Sequence, residues 1–241
     1  MENQNKKLQE RAIIEVSDLR KKYGATAALD GLELKIPGGK LSVLIGPNGS
    51  GKTTLLKILS GLAYPDQGEV KILESTPANL NREKIAFQPE VDHLCSWMKL
   101  RDLIELYSSQ FTTFNVEKSL EITERMNLDP DTRVSDLSRG MRARFKLALS
   151  MAREVELYLL DEPLAGIDPQ SRSHILETLN QEFAAGEKSV IMSTHEVMEA
   201  EKYFDYVVML ENGKIRLTGY ADGLREEHGM SLQKLVREVF V

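Results

Sequence analysis

A glycine-rich segment between a strand pattern and a helix pattern constrains this chain more than any other feature. Residues 46–54 read GPNGSGKTT and match GxxxxGK[ST], with an apolar run at 41–45 before them and a helical pattern at 55–62 after them. In this order, the turn wraps backbone N–H groups around an anion at the positive end of a helix. The sequence therefore predicts a phosphate-binding P-loop. The alternative is a glycine-rich turn with a structural role only.

The P-loop divides phosphate binding between backbone and side chains. Its glycines permit backbone angles and a close approach that a side chain would block. Lys52 reaches the β- and γ-phosphates of a nucleotide, and the Thr53 hydroxyl is placed to ligate Mg²⁺. The predicted binding residues are Gly46, Pro47, Asn48, Gly49, Ser50, Gly51, Lys52, Thr53 and Thr54.

Composition limits the partners that this chain is expected to have. Its 31 basic and 37 acidic residues give a net charge of −6, which argues against sequence-independent nucleic-acid binding but leaves a local basic patch open. The single cysteine, Cys95, excludes an intramolecular disulfide, and we expect a buried apolar side chain rather than a reactive thiol. The polar N-terminus predicts no signal peptide. No run of 18 apolar residues exists, so other chains would have to supply any membrane-spanning part.

The pattern of strands and helices predicts a layered α/β fold. We expect a P-loop NTPase core with a mainly parallel, RecA-like sheet, an antiparallel β lobe near the N-terminus and an α-helical insertion. A single domain spans 1–241, with core and β lobe at about 12–89 and 155–220, helical subdomain at about 90–154 and tail at 221–241. The predicted strands are 13–16, 32–36, 41–45, 69–73, 85–87, 157–161, 189–193, 206–210 and 215–217.

Three further features refine this expectation. Helices are predicted at 170–184 and 231–240. Asn212 and Gly213 between the last two strands predict a tight type I′ hairpin turn, because both residues tolerate positive φ.

Two adjacent carboxylates follow an apolar strand pattern. Leu157–Leu160 leads directly to Asp161 and Glu162, which places both acids at the carboxyl edge of a parallel sheet. Asp161 would hold Mg²⁺ through water, and Glu162 would polarise the water that attacks the γ-phosphate. Alternatively, the two acids cap the next helix. Asp168, with Pro169 at the first helical position, supplies that cap better.

Together these motifs resemble the ATP-binding cassette family over nearly the whole chain. Residues 137–141, LSRGM, are similar to the family's LSGGQ signature, with Arg139 and Met141 as departures. The resemblance implies that the Ser138 hydroxyl and the Gly140 N–H grip the γ-phosphate of ATP bound by the opposite subunit. From the residues alone, Ser138 caps a helix at 140–152 whose free N–H groups face an approaching anion. A plain capped helix is the alternative.

The resemblance also implies roles for three other residues. His195 matches the switch histidine that contacts the γ-phosphate and the attacking water; the alternative is a cap for a helix at 196–203. Asp168, in the D-loop-like segment 164–168, would organise contacts across the dimer as well as cap its helix. Tyr23 stands where the family places an aromatic ring on adenine, unless it packs on the β lobe.

The segment after the strand at 85–87 departs from the family pattern. The family's Q-loop usually reads Pro-Gln, whereas here Glu90 occupies the aligned position and Gln88 lies two residues early. We hypothesise that Glu90 coordinates Mg²⁺ or contacts the nucleophilic water. The nearby segment 94–98 carries Trp97, which we expect to dock a helix of a membrane subunit. Core packing of this tryptophan is the alternative.

The family resemblance implies an ATPase subunit of an ABC transporter of bacterial exporter type. Two subunits, identical or divergent, would sandwich ATP, and hydrolysis would drive a transmembrane permease at the cytoplasmic face of the membrane. Import remains an alternative, and cargo would be chosen by the membrane chains. A soluble ABC ATPase acting on nucleic acid or ribosomes lacks support, because neither a second cassette nor a coiled-coil arm is present. A regulator without turnover is disfavoured by Glu162 and His195.

Overall fold

A three-stranded antiparallel sheet forms one layer of the computed structural model, which describes residues 11–183, 186–195 and 201–240. Its strand order is β2-β1-β4. The strands are β1 (Ala12–Tyr23), β2 (Thr26–Pro37) and β4 (Gln67–Ile72). β1 and β2 run well beyond the predicted 13–16 and 32–36, because their extensions carry polar residues on an exposed face and so lack a continuous apolar signal.

The main sheet has six strands in the order β5-β6-β7-β3-β8-β9. The first five are parallel, and the last two form an antiparallel hairpin. Asn212 and Gly213 in its turn have φ of 49° and 73°, so the positive φ angles predicted for this turn are confirmed. The strands are β3 (Leu41–Ile45), β5 (Ile85–Gln88), β6 (Leu157–Leu160), β7 (Ser189–Thr194), β8 (Tyr206–Glu211) and β9 (Lys214–Tyr220).

Helices cover both faces of the main sheet. They are α1 (Lys52–Leu59), α2 (Leu100–Gln110), α3 (Val116–Arg125), α4 (Arg139–Met151), α5 (Pro169–Phe183), α6 (Ala221–His228) and α7 (Leu232–Val239). Helices α2 to α4 stand between β5 and β6, where the helical insertion was predicted. Within the described ranges, none of the helices has the length and apolarity needed to cross a membrane.

Two hydrophobic clusters lie on opposite faces of the main sheet. Alternate residues of β3 show this division: Val43 and Ile45 belong to one cluster, and Leu44 belongs to the other. The Leu44 side packs against α1 and the three-stranded sheet, while the Val43 side packs against the remaining helices. Because β3, β6 and β7 are parallel, their carboxyl ends meet at one edge, and the segments that follow them converge there.

Several predicted boundaries differ from the structure. Helix α1 begins at Lys52 and ends at Leu59, three residues earlier at each end than predicted, because Gly61 takes φ of 72° and turns the chain. Helix α6 was not predicted within the tail. Ala184 and residues 196–200 of two predicted helices lie outside the described residues, and residues 201–203 form a short 3₁₀ helix. Cys95 is half-buried rather than buried.

Candidate functional site

The loop at the carboxyl end of β3 leaves no room for larger residues at two glycines. A Cβ on Gly46 would lie 2.1 Å from the Leu210 carbonyl oxygen, and one on Gly51 would lie 2.5 Å from that of Ala28. Gly51, at φ of 109°, precedes α1, which within the described residues has neither a side-chain cap nor an acidic residue in its first turn. The N–H groups of this turn therefore face outwards without a competing carboxylate, as an anion site requires.

The hairpin turn between β8 and β9 forms a hydrogen bond with this loop. The Gly213 N–H donates to the Ser50 carbonyl at 2.9 Å, and the Gly213 carbonyl accepts from the Asp30 N–H at 3.0 Å. A Cβ on Gly213 would lie 2.8 Å from the Ala28 carbonyl oxygen. The turn therefore connects the P-loop to β2 through backbone hydrogen bonds, and Lys214 adds an ion pair to Asp30 at 3.2 Å.

Lys52 folds back over the P-loop. Its side chain is 6% exposed, and Nζ donates to the carbonyl oxygens of Gly46 at 2.7 Å and Pro47 at 3.2 Å. The same nitrogen lies 3.5 Å from Glu162 Oε1. Phosphate oxygens bind an ammonium more strongly than neutral carbonyl groups do, so an anion in the loop would compete successfully for Nζ.

A serine hydroxyl joins the two acids that follow β6. Ser193 Oγ, on β7, donates to Asp161 Oδ1 at 2.7 Å and accepts from the Glu162 N–H at 2.9 Å. Asp161 is buried, and Glu162 adopts φ of 45°, which is uncommon for a residue with a side chain. Sequence reasoning missed Ser193. The available signal was a hydroxyl residue directly after the apolar run 190–192 of β7.

The Glu162 carboxylate lies between a cation and an imidazole. Its Oε2 is 2.9 Å from His195 Nδ1, while Oε1 accepts no hydrogen bond from any described residue. The structure thus brings Lys52, Glu162 and His195 together, with Asp161 joined to them through Ser193. A carboxylate in this position can accept a proton from a water molecule, and the imidazole beside it is partly exposed.

The residues at this edge fit a triphosphate with Mg²⁺. The buried oxygen atoms that lack a hydrogen-bond partner in the described part of the chain include Ser50 Oγ in the P-loop and Glu162 Oε1 beside it. The same part contains no group of three or more His, Cys, Asp or Glu residues suited to a metal. A divalent cation would therefore complete its coordination with phosphate oxygens and water, which is how Mg²⁺ usually binds beside nucleotides.

The signature-like segment lies on the start of α4. Ser138 is exposed, and its Oγ accepts from the Met141 N–H at 3.2 Å, so this side chain caps the helix as predicted. A Cβ on Gly140 would lie 3.5 Å from the Gly166 carbonyl oxygen, which places the D-loop-like segment against it. Among the described residues, no hydrogen bond or ion pair joins Ser138 or Gly140 to the P-loop.

Asp168 is the last residue of the D-loop-like segment and directly precedes α5. Its Oδ1 accepts from the Ser171 N–H at 2.9 Å, which caps α5. Hydrogen bonds from Ser171 hold the pKa of the Asp168 carboxyl below its ordinary value. The helix-capping prediction is therefore met, while contact across a dimer stays a prediction.

Among the described residues, three further predicted side chains form no hydrogen bond or ion pair with this cluster. Tyr23 ends β1 with 52% of its surface exposed, so it is not packed into the β lobe. The Glu90 side chain is exposed just beyond β5, and Gln88 is buried with both amide atoms lacking partners among the described residues. Trp97 is 71% exposed. Core packing, the alternative for this tryptophan, is therefore wrong.

Comparisons with known proteins agree with this architecture. The ABC transporter family model matches residues 29–165. A Nod factor export ATP-binding protein I from Rhizobium sp. (strain N33) is 32% identical over 223 residues, covering 89% of this chain and 73% of that protein. The protein of the same name from Rhizobium etli is 34% identical over 222 residues, with coverages of 89% and 70%.

Solved structures show the same fold. The structure of an ATP binding subunit of an ABC transporter has a TM-score of 0.83 and 28% identity, covering 94% of this chain and 99% of that one. A dimeric ATP-binding cassette in a post-hydrolysis state, bound to ADP and Pi, has a TM-score of 0.76 and 23% identity, with coverages of 86% and 98%. The predicted α/β P-loop NTPase fold is thereby confirmed.

Proposed function

The chain belongs to the ABC transporter family, and on that premise we propose that its ATP sites are completed only when two such subunits face each other. The protein is an ATP-binding and ATP-hydrolysing subunit of an ABC transporter. One observation carries the proposal: Lys52, Glu162 and His195 cluster at one edge, whereas Ser138 and Gly140 make no described contact with them.

Nucleotide binding begins at the P-loop. The phosphates of ATP replace the Gly46 and Pro47 carbonyl groups as acceptors for Lys52, and the first N–H groups of α1 surround them. Ser138 and Gly140 of the opposite subunit then contact the γ-phosphate, so ATP binds the closed pair better than the open pair. Moving such an equilibrium from about 1:99 to 99:1 requires roughly 5.5 kcal/mol of differential binding.

Hydrolysis depends on the acid pair. Glu162 accepts a proton from the attacking water, and His195 orients this water and the γ-phosphate. Ser193 holds the Glu162 backbone and Asp161 in register. Thr53 and Asp161 would hold Mg²⁺, which neutralises phosphate charge when bound, and Glu90 would contact the same cation or the water. Loss of the γ-phosphate contacts reopens the pair, which supplies the movement that the transporter uses.

We infer further that a transmembrane permease receives this movement at the cytoplasmic face of the membrane. The exposed Trp97, beyond the Glu90 segment, supplies an aromatic anchor for a permease helix. The division into core, β lobe, helical subdomain and tail given above belongs to the same proposal. The relatives named for Nod factor export support an exporter. Nucleic acid is not a proposed partner, in keeping with the net charge of −6.

The Glu162→Gln variant tests the composite sites. We expect hydrolysis to fall by about 100-fold or more, since the group that accepts the proton is lost, while ATP holds the variant as a dimer. Analytical ultracentrifugation with and without ATP measures this association, with Lys52→Ala as the control that stays monomeric. A Glu162→Gln protein that binds ATP yet remains monomeric, both alone and in membranes containing its permease, would contradict the proposal.

The permease interface has its own test. Trp97→Ala is expected to abolish co-purification with the permease while leaving nucleotide affinity unchanged, because Trp97 is exposed and lies outside the P-loop cluster. Tyr220→Ala is the control, since it removes a half-exposed aromatic ring from β9, at the edge of the main sheet opposite β5. Intact association in Trp97→Ala would refute the docking role.

A further inference from the structure

A buried lysine on α4 binds the backbone of the Glu90 segment. The Lys146 side chain is only 8% exposed, and its neighbours on α4, Phe145 and Leu147, are fully buried apolar residues. Its Nζ donates to the carbonyl oxygens of Pro89 at 3.0 Å, Glu90 at 2.7 Å and Val91 at 3.3 Å. An ammonium group has three N–H donors, so this arrangement satisfies all of them with one stretch of backbone.

A second cation on the same helix holds the next residue. Arg142, one turn before Lys146, donates from Nη1 to Asp92 Oδ2 at 2.7 Å. Asp92 in turn accepts from the Leu94 N–H at 3.1 Å, which continues the attachment along the segment. Two cations spaced i and i+4 on α4 therefore bind four consecutive residues, 89–92.

The attachment of Lys146 depends on loop conformation. Burial lowers the pKa of the Lys146 ammonium, and the nearby carboxylates of Asp92, Glu90 and Asp161 oppose this shift. None of them forms an ion pair with Lys146 in the described part of the chain; the direct partners are carbonyl groups. The three carbonyl groups belong to consecutive residues, 89–91, so Nζ holds this segment through its backbone.

Helix α4 also connects the Glu90 segment to the signature-like segment, which lies at the start of this helix. Ser138 caps α4, Gly140 lies in its first turn, and Lys146 lies further along the same helix. At the other end, the Gln88 carbonyl accepts from the Asp161 N–H at 2.9 Å, so the Glu90 segment leaves the sheet beside the acid pair. A helix moves as a rigid rod, so a displacement of Ser138 is passed to whatever Lys146 holds.

We propose that Lys146 is a positioning residue that fixes the Glu90 segment to the helix carrying Ser138 and Gly140. The inference rests on the proposed function, in which Ser138 and Gly140 contact a nucleotide of the opposite subunit. Under that arrangement, seating of α4 on one nucleotide sets the position of Glu90 at the other. Lys146 itself touches neither nucleotide.

Cys95 offers a test that needs no nucleotide. It is the only cysteine, it is half-buried, and it follows the bound segment closely, so its reaction with a thiol reagent reports opening of this region. The Lys146→Met variant, studied without nucleotide, keeps a side chain of similar length but removes the positive charge of the lysine. We expect it to raise the labelling rate of Cys95 by about tenfold or more, because the segment loses its attachment. Lys146→Arg should lie between the two.

Controls separate positioning from folding. Lys234→Met removes an exposed lysine from α7 and should leave the labelling rate unchanged. Circular dichroism melting checks that Lys146→Met is folded at the labelling temperature. If a folded Lys146→Met protein labels at the wild-type rate, the proposed attachment is refuted.

ATP turnover supplies the second readout. We expect Lys146→Met to lower kcat about tenfold while the Kd of ATP for the isolated subunit stays unchanged, because the P-loop is intact. Glu90→Gln should then change the kcat of the Lys146→Met protein less than that of the wild type, since Glu90 is already displaced. Equal effects of Glu90→Gln in both backgrounds would overturn the proposal. If the wild-type protein itself fails to hydrolyse ATP, the proposed function falls, while Cys95 labelling still tests the attachment.

Discussion

The P-loop region and the signature-like region both present helix N-termini, but the surrounding protein holds them differently. Lys52 is buried and bound to the Gly46 carbonyl, and Gly213 supports the loop from another part of the chain. Ser138 is exposed, and its described hydrogen bond is to its own helix. The first region is organised within one chain, whereas the second offers its groups outwards. Substitutions in the two should therefore separate nucleotide binding by one subunit from events that require two.

Lys52→Ala should produce the largest effect. Charge-assisted hydrogen bonds contribute about 1.5–3 kcal/mol each, so losing those to phosphate should weaken ATP binding by about 100-fold. Equilibrium binding of a fluorescent ATP analogue to the isolated subunit measures this change. Lys57→Ala, an exposed lysine of the same helix, is the matched control. Equal affinity of Lys52→Ala and wild type would show that the P-loop is a structural turn.

Ser138→Ala should leave that binding intact and affect only the assembled pair. We expect ATP hydrolysis by the assembled transporter to fall about tenfold, since a hydrogen bond made in the closed state is lost. The substitution also removes a helix cap, which costs about 1 kcal/mol of stability. Ser231→Ala removes a comparable cap from α7 and controls for this cost. Similar turnover in both variants would place Ser138 among purely structural caps.

Glu182 on α5 forms ion pairs with α3. Its substitution tests how much a contact outside both regions contributes to the stability of the fold. Its carboxylate pairs with Lys118 at 2.8 Å and Arg125 at 3.2 Å. Burial alone would raise the pKa of Glu182, but these two cations outweigh burial and lower it. Glu182→Gln should cost about 1 kcal/mol of unfolding free energy at neutral pH.

The pH dependence of this effect follows from the sign of the shift. A carboxyl whose pKa is lowered by folding stabilises the protein above its ordinary pKa of about 4.3, and this contribution disappears as the pH falls through the lowered value. The difference between wild type and Glu182→Gln in urea unfolding should therefore shrink in acid. A difference that grows with acidity would contradict the assigned pairing.

Gln88→Leu should change the unfolding free energy by about as much as Glu182→Gln does, but in the favourable direction. The Gln88 amide has no hydrogen-bond partner among the described residues. A buried amide in this state costs about 1–3 kcal/mol, part of which an apolar side chain of similar size recovers. We expect the unfolding free energy to rise by about 1 kcal/mol, as measured by chemical denaturation. Gln233→Leu, on partly exposed α7, should change little. A lower stability for Gln88→Leu would show that this amide has partners that matter to the fold.

Local motifs predicted the residues at the carboxyl edge of the sheet. A strand followed by glycines, by two acids or by a histidine indicates a site, because parallel strands deliver their ends to one place. Ser193 and Lys146 could not be found in this way. Ser193 binds Glu162 across 31 positions of sequence, and Lys146 binds Pro89 across 57, so both roles exist only after tertiary packing.

The fold was predictable where apolar periodicity is strong. Strands β3, β6 and β7 of the main sheet have continuous buried runs, and each was located within a few residues. β1 and β2 were cut short because their outer residues are polar, and α6 was missed because it buries only Ala221 and Leu224. Backbone pairing and packing on a neighbour stabilise these elements, and neither leaves a clear periodic signal.

The backbone contacts of Gly213 make the last hairpin an unsafe place for protein engineering. Exposed turns are common sites for inserting affinity tags or reporter domains and for placing circularly permuted termini. Here a single residue, Gly213, donates to the Ser50 carbonyl and accepts from the Asp30 N–H. Lengthening the turn would displace Gly213 and break its hydrogen bond to the P-loop. Tags and labels should therefore be inserted elsewhere in this protein.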